Sequence, residues 1–269
     1  MVKLTDLVIG KAKEIDATNK ALRRRFRGGH GLGRIIQIAR DMTDLTGREV
    51  SFGQYTHVDN LINSNGGNYV NIVNTQLGDE SGVAWHPGWR PRHEYSAEKN
   101  IFVPVFYLHT HPNPHPVIAS TPDLKLPYSR RRIQMRDGDH EIYWRGKEIF
   151  IISGHGFTGS KYLLFYQLTD NFAAYDRFMD KYERIVDSFS NRFYDRLEDL
   201  KTTAGKSVPE YEDYVQEEFA QFLNRSGAFK ALYHNYTNDK PTVENPIGER
   251  IVERVVRKFS YHASISRVK

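Results

Sequence analysis

The sequence predicts an α/β (α+β) protein, a mixed β-sheet flanked by helices, with a C-terminal helical extension. Two observations identify the sheet. Runs such as "KEIFIISG" and "KYLLFYQL" are dense in β-branched and aromatic residues, and a glycine-rich turn, "GHGFTGS", separates them. The third observation is a change of period at Thr169-Asp170, after which apolar residues recur in steps of three and four.

Residues 3–25 read as a helix rich in Lys, Arg and Ala that stops at Gly28-Gly29. A second helix is expected from about Leu32 to Leu45. Its apolar side carries Ile35, Ile36, Ile38, Ala39 and Met42, and Gly47 ends it. "REVSFGQYTHV" then alternates as a strand does, "NSNGGN" is a turn, and "YVNIVNT" is the next strand. Residues 78–100, rich in Gly, Pro, His and Trp, read as an irregular loop. Strands follow at "FVPVFYLHT", "HEIYWRG", "KEIFIISG" and "KYLLFYQL".

Beyond them, Phe172, Tyr175, Met179, Tyr182, Val186, Phe189, Phe193 and Leu200 form one apolar seam on a helix of about 30 residues. Two more amphipathic helices are expected at about 209–225 and 246–259. The chain thus divides into an N-terminal helix with an Arg/Gly segment (1–30), a central domain (31–168) and a helical extension (169–269). The extension is expected to supply a homodimer or partner contact.

Composition narrows the function. The 269 residues suffice for a large core, and no run reaches the roughly 18 apolar residues of a membrane helix. The N-terminus lacks the pattern of a secretory signal, so a cytoplasmic location is expected. There is no cysteine, which excludes disulfides, thiolate ligands and a thiol nucleophile, so a bound metal must rest on His and carboxylate. The net charge of +5 is mild. Basic runs at 23–34, 129–136 and 249–258 read as solvated faces more readily than as a nucleic-acid surface.

Chemistry concentrates in "FVPVFYLHTHPNPHPVIASTPDL", residues 102–124. Side chains two apart on a strand share a face, so His109 and His111 point the same way and can offer ring nitrogens to one metal ion. Pro112 cannot donate to a sheet ladder and opens the chain into a loop. The loop leads to Ser120-Thr121-Pro122-Asp123, where the Asp123 carboxylate is available as a third ligand. A fourth, tetrahedral position would remain for water, as in catalytic zinc sites. His115, within the loop, reads as an exposed residue rather than a further ligand.

A helix, a strand bearing Glu, further strands, His-x-His-Pro and Ser-x-x-Asp together resemble the JAMM (MPN/JAB) metalloprotease motif. That family comprises zinc-dependent deubiquitinating isopeptidases and their prokaryotic relatives, and the likeness covers residues 32 to about 168. The resemblance implies an MPN/JAB-like fold and Zn2+ held by His109, His111 and Asp123. It also implies a catalytic Glu49, in "TGREVSFGQ", and a Ser120 that helps to stabilise the oxyanion. The spacing from His111 to Asp123 is one residue longer than the family's usual one, an insertion that the loop can absorb. Glu49 is preferred over Glu80, Glu94 and Glu98 because a base must sit on a rigid element near the metal.

The implied substrate is a protein or peptide, with a ubiquitin-like conjugate or precursor as one form. A non-catalytic MPN-like binding module and a nucleic-acid-associated zinc hydrolase are the alternatives. "ALRRRFRGG", residues 21–29, resembles the Gly-Gly tail of ubiquitin-like proteins and would in that reading be a pseudo-substrate or self-cleavage site. Cations and glycine also suit an ordinary helix C-terminus, which is the simpler account.

Overall fold

The structure is a computed structural model that describes residues 32–57, 72–77, 102–112, 118–129, 133–137, 140–145, 148–202, 208–237 and 264–268. The helices expected at 3–25 and 246–259, the loop at 78–100, His115, the rival glutamates and the Gly-Gly segment lie outside these residues.

Helix α1 (Leu32–Thr46) precedes strands β1 (Val50–His57), β2 (Ile72–Leu77) and β3 (Phe102–Thr110). Helix α2 (Thr121–Ser129) and strands β4 (Ile133–Asp137) and β5 (His140–Arg145) lead to β6 (Ile149–His155) and β7 (Lys161–Leu168). The long α3 (Phe172–Thr202), α4 (Val208–Arg225), β8 (Phe229–Asn235) and β9 (Ser264–Val268) follow. Six strands form one sheet in the order β2-β1-β3-β6-β7-β8, and β4-β5-β9 form a smaller one. The large sheet is mixed: β3 and β6 run parallel, and every other neighbouring pair is antiparallel.

Strand alternation sorts the large sheet's side chains into two cores. Val50, Phe52, Leu108, Ile149, Ile151, Leu163 and Phe165 meet Ile35, Ile36, Ala39 and Met42 of α1. On the opposite face Tyr107, Phe150, Ile152, Tyr162, Leu164 and Tyr166 pack with residues of α2, α3 and α4. Covered on both sides, β6 and β7 have no polar face, which is why they read as continuous apolar runs. Helix α1 ends as expected at Gly47, whose φ of 65° a side chain would strain and whose N–H closes on the Thr43 carbonyl.

The expected helical extension is corrected in part. Helices α3 and α4 form as the periodicity predicts, and Asn171 caps α3 by accepting from the Ala174 N–H at 3.0 Å. Yet "FKALYHN" is strand β8, which pairs antiparallel with β7 along its whole length, and β9 pairs with β5. Tyr175, Phe178 and Tyr182 of α3, Phe219 and Leu223 of α4, and Phe229 of β8 share a core with β6 and β7. The apolar seam of α3 therefore faces this protein's own sheet over its described side chains. A carboxylate reinforces the union. Buried Glu212 of α4 accepts from the Phe157 N–H (2.6 Å), the Thr158 hydroxyl (2.6 Å) and the Tyr162 hydroxyl (3.0 Å), pinning the β6–β7 turn. Gly156 of that turn has no room for a side chain, since a Cβ would lie 2.4 Å from a Glu212 oxygen.

Ending the chain at residue 168 would strip one edge strand and the whole aromatic cover from the sheet. The 1–168 fragment is expected to bind ANS and to lack the near-UV circular dichroism of the full chain.

Candidate metal centre

The centre forms where β3 ends. Its last residues divide by face. His109 lies on the face of Tyr107, whereas Thr110 lies on the face of Leu108, toward α1. Buried Thr110 is a fixed post. Its hydroxyl accepts from the Val50 N–H at 2.9 Å and makes a short hydrogen bond with the Thr43 hydroxyl of α1. The residue between the two histidines is thereby locked to both β1 and the helix.

His111 lies one residue past the strand but is held as firmly. Its N–H donates to the Ser153 carbonyl at 2.8 Å, and its own carbonyl accepts from the Arg40 Nη1 at 2.8 Å. Arg40 is only 1% exposed and reaches the strand end from inside α1, with Asp44 accepting from its Nε at 2.8 Å. A buried guanidinium persists only when its charge and donors are satisfied, and here an acid and a main-chain carbonyl satisfy them.

The third group comes from the start of α2. The Ser120 N–H and hydroxyl both donate to Asp123 Oδ2, at 2.7 and 2.6 Å, and the Asp123 N–H approaches the Ser120 Oγ at 3.3 Å. This is a reciprocal capping box, in which Ser120 caps the helix and Asp123, three residues on, answers it. The motif expected to serve chemistry is thus also the device that starts α2. With Oδ2 engaged by Ser120, Oδ1 faces His109 Nε2 at 3.3 Å.

His109 Nε2 and His111 Nε2 also lie 3.3 Å apart, and one ligand atom from each of His109, His111 and Asp123 falls within 4.8 Å of the others. Two ligands at 2.0–2.1 Å from a tetrahedral ion are separated by about 3.3–3.4 Å, so both measured edges match such an ion. Two imidazoles and a carboxylate suit a divalent cation, and a tetrahedral ion held by them would have a fourth position for another ligand. The group could hold a metal ion. His109 is 4% exposed while His111 and Asp123 are partly exposed, so the cluster is backed by protein and open on one side.

Glu49 is half-buried immediately before β1. Ser51 pairs with His109, so the antiparallel register carried two residues outward sets Glu49 across from His111. Ser120 is exposed beside Asp123. His109, His111, Ser120 and Asp123 thus gather at one end of β3, and the register places the backbone of Glu49 at the same end. Sequence reasoning missed their supports, Arg40, Thr43 and Thr110. Arg40 had a readable signal, as a charge four residues after Ile36 on the apolar side of α1. Helix α2 was missed too, although Ser-x-x-Asp is itself a helix-start signal.

Purified protein is expected to take up about one divalent ion per chain in equilibrium dialysis, and His111→Ala is expected to abolish stoichiometric uptake. Full occupancy in the variant would show that the ion binds elsewhere. No protein-family model, curated protein or solved structure matches this chain.

Proposed function

We propose that this chain is a zinc-dependent metallopeptidase of the JAMM (MPN/JAB) type, hydrolysing a peptide or isopeptide bond in a protein substrate. The observation that carries the reading is the convergence of His109, His111 and Asp123, with ligand atoms within 4.8 Å of one another. An all-nitrogen-and-oxygen set with two imidazoles at tetrahedral spacing favours zinc over magnesium or calcium, which prefer oxygen ligands in larger number. Bound there, zinc would supply a water acidified toward neutral pH and a positive charge for a carbonyl oxygen.

The chain's own residues do the rest. Glu49, immediately before the strand that pairs with the histidine strand, accepts the proton of the attacking water and hands it to the leaving amine. The Ser120 hydroxyl, exposed at the mouth of the centre, turns from Asp123 to the carbonyl oxygen as negative charge gathers there. His109 and His111 sit at a strand end fixed by Thr110 and Arg40, so the site needs little rearrangement when substrate arrives. The protein-substrate class, with a ubiquitin-like conjugate as one form, follows from the resemblance of the motif.

Glu49→Gln is expected to retain zinc and fold while losing turnover by at least 100-fold, on the order of the contribution of a general base. Cleavage of a peptide or isopeptide substrate at the wild-type rate by zinc-loaded Glu49→Gln would exclude Glu49 as the base. For Ser120→Ala, a loss of about 2–4 kcal/mol of transition-state stabilisation is expected from kcat. Its folding stability should fall by only about 1 kcal/mol, the usual cost of a lost N-cap.

A further inference from the structure

Helix α2 contains a proline where a helix can least accommodate one. Pro127 lies four residues after Asp123, so the Asp123 carbonyl has no intrahelical N–H to bond. Tyr166 of β7 supplies the missing donor: its hydroxyl reaches the Asp123 carbonyl at 3.2 Å. On the other side of the capping box, the hydroxyl of Tyr182, from α3, donates to the carbonyl of buried Ala119. The turn that presents the carboxylate is therefore held at both ends by tyrosines anchored in the main core. Both tyrosines are fully buried, so no water competes for the carbonyls they hold. Tyr166 also connects with the histidine side, since Phe150 lies between its ring and that of Tyr107, which abuts His109.

We propose that Tyr166 and Tyr182 are positioning residues for the metal ligand Asp123. They grip the peptide carbonyls around the Ser120–Asp123 turn and so fix the distance from its carboxylate to the histidine-bearing strand end. The proposal rests on the metal-site reading above. It also gives the segment after residue 168 a part in the centre, because Tyr182 belongs to α3. Pro127 becomes meaningful as well: by withholding its N–H it hands control of the Asp123 backbone from the helix to the sheet.

Zinc affinity measured by chelator competition, together with the visible spectrum of the cobalt-loaded protein, tests this without reference to turnover. Tyr166→Phe and Tyr182→Phe keep the rings and remove only the hydroxyls. Each is expected to weaken zinc binding by about 10-fold or more, the usual scale for an outer partner of a metal ligand, and to shift the cobalt bands. Tyr233→Phe, which removes a partly buried hydroxyl bonded to Asp213, serves as the stability control and should leave affinity unchanged. Pro127→Ala offers the Asp123 carbonyl a helical N–H again, so Tyr166→Phe should cost markedly less affinity in that background. Zinc binding in both tyrosine variants within twofold of wild type would overturn the proposal while leaving the metal site intact. So would an equal loss in Tyr233→Phe, which would mark the effect as general destabilisation. Absence of zinc binding by the wild type would remove the site reading itself, and this proposal with it.

Discussion

The two-residue period of β3 at its C-terminal end is the constraint on which the centre depends. Because neighbours on a strand face opposite sides, His109 can serve a ligand site only if Thr110 is sent into the core beneath α1. A threonine there would be an unsatisfied polar group were it not bonded to Thr43 and to the Val50 N–H. That arrangement in turn fixes where β1 starts relative to β3, and hence where Glu49 falls. The register Ser51–His109 is one step of the same lock. A slip of one residue would exchange the faces and bury the ligand where the helix packs.

The parallel pairing of β3 with β6 adds a second demand. One residue past β3, the backbone N–H and carbonyl of His111 still need partners. Here the His111 N–H takes the Ser153 carbonyl, and Arg40 takes that of His111. The ligand strand end is consequently stiff although it lies at the edge of a loop. Rigid ligands lower the reorganisation needed to close a tetrahedral set, which is the physical reason for placing histidines on a strand rather than within the loop.

Much of this could be read from the chain. Continuous apolar runs gave β6 and β7, the seam at residues 172–186 gave α3, and HTHP placed the two candidate histidines and the end of their strand. Some of what escaped depended on distant partners. Strand β8 carries Lys230, His234 and Asn235 and looks unremarkable alone. It becomes a strand because β7 presents a full edge to it. Strand β4, within the basic run at 129–136, escaped because its charges hid a local hairpin pairing with β5. The roles of Tyr166 and Tyr182 were hidden for another reason. Each appears in the sequence as one more core aromatic, and only the folded chain shows where its hydroxyl ends.

The capping box brings these strands of argument together. One carboxylate performs two tasks with two oxygens: Oδ2 starts helix α2 through Ser120, while Oδ1 faces His109. Because the cap uses a different oxygen from the one directed at the histidines, the carboxylate would be a one-oxygen ligand whose direction is settled before any ion arrives. The helix holds the carboxylate in place through Oδ2; a cation at Oδ1 would leave those hydrogen bonds to Ser120 intact while offsetting part of the carboxylate's attraction to the helix N-terminus. Pro127 marks where that helix yields to the sheet: its missing N–H leaves the Asp123 carbonyl to the Tyr166 hydroxyl, while the capping box holds the Asp123 side chain.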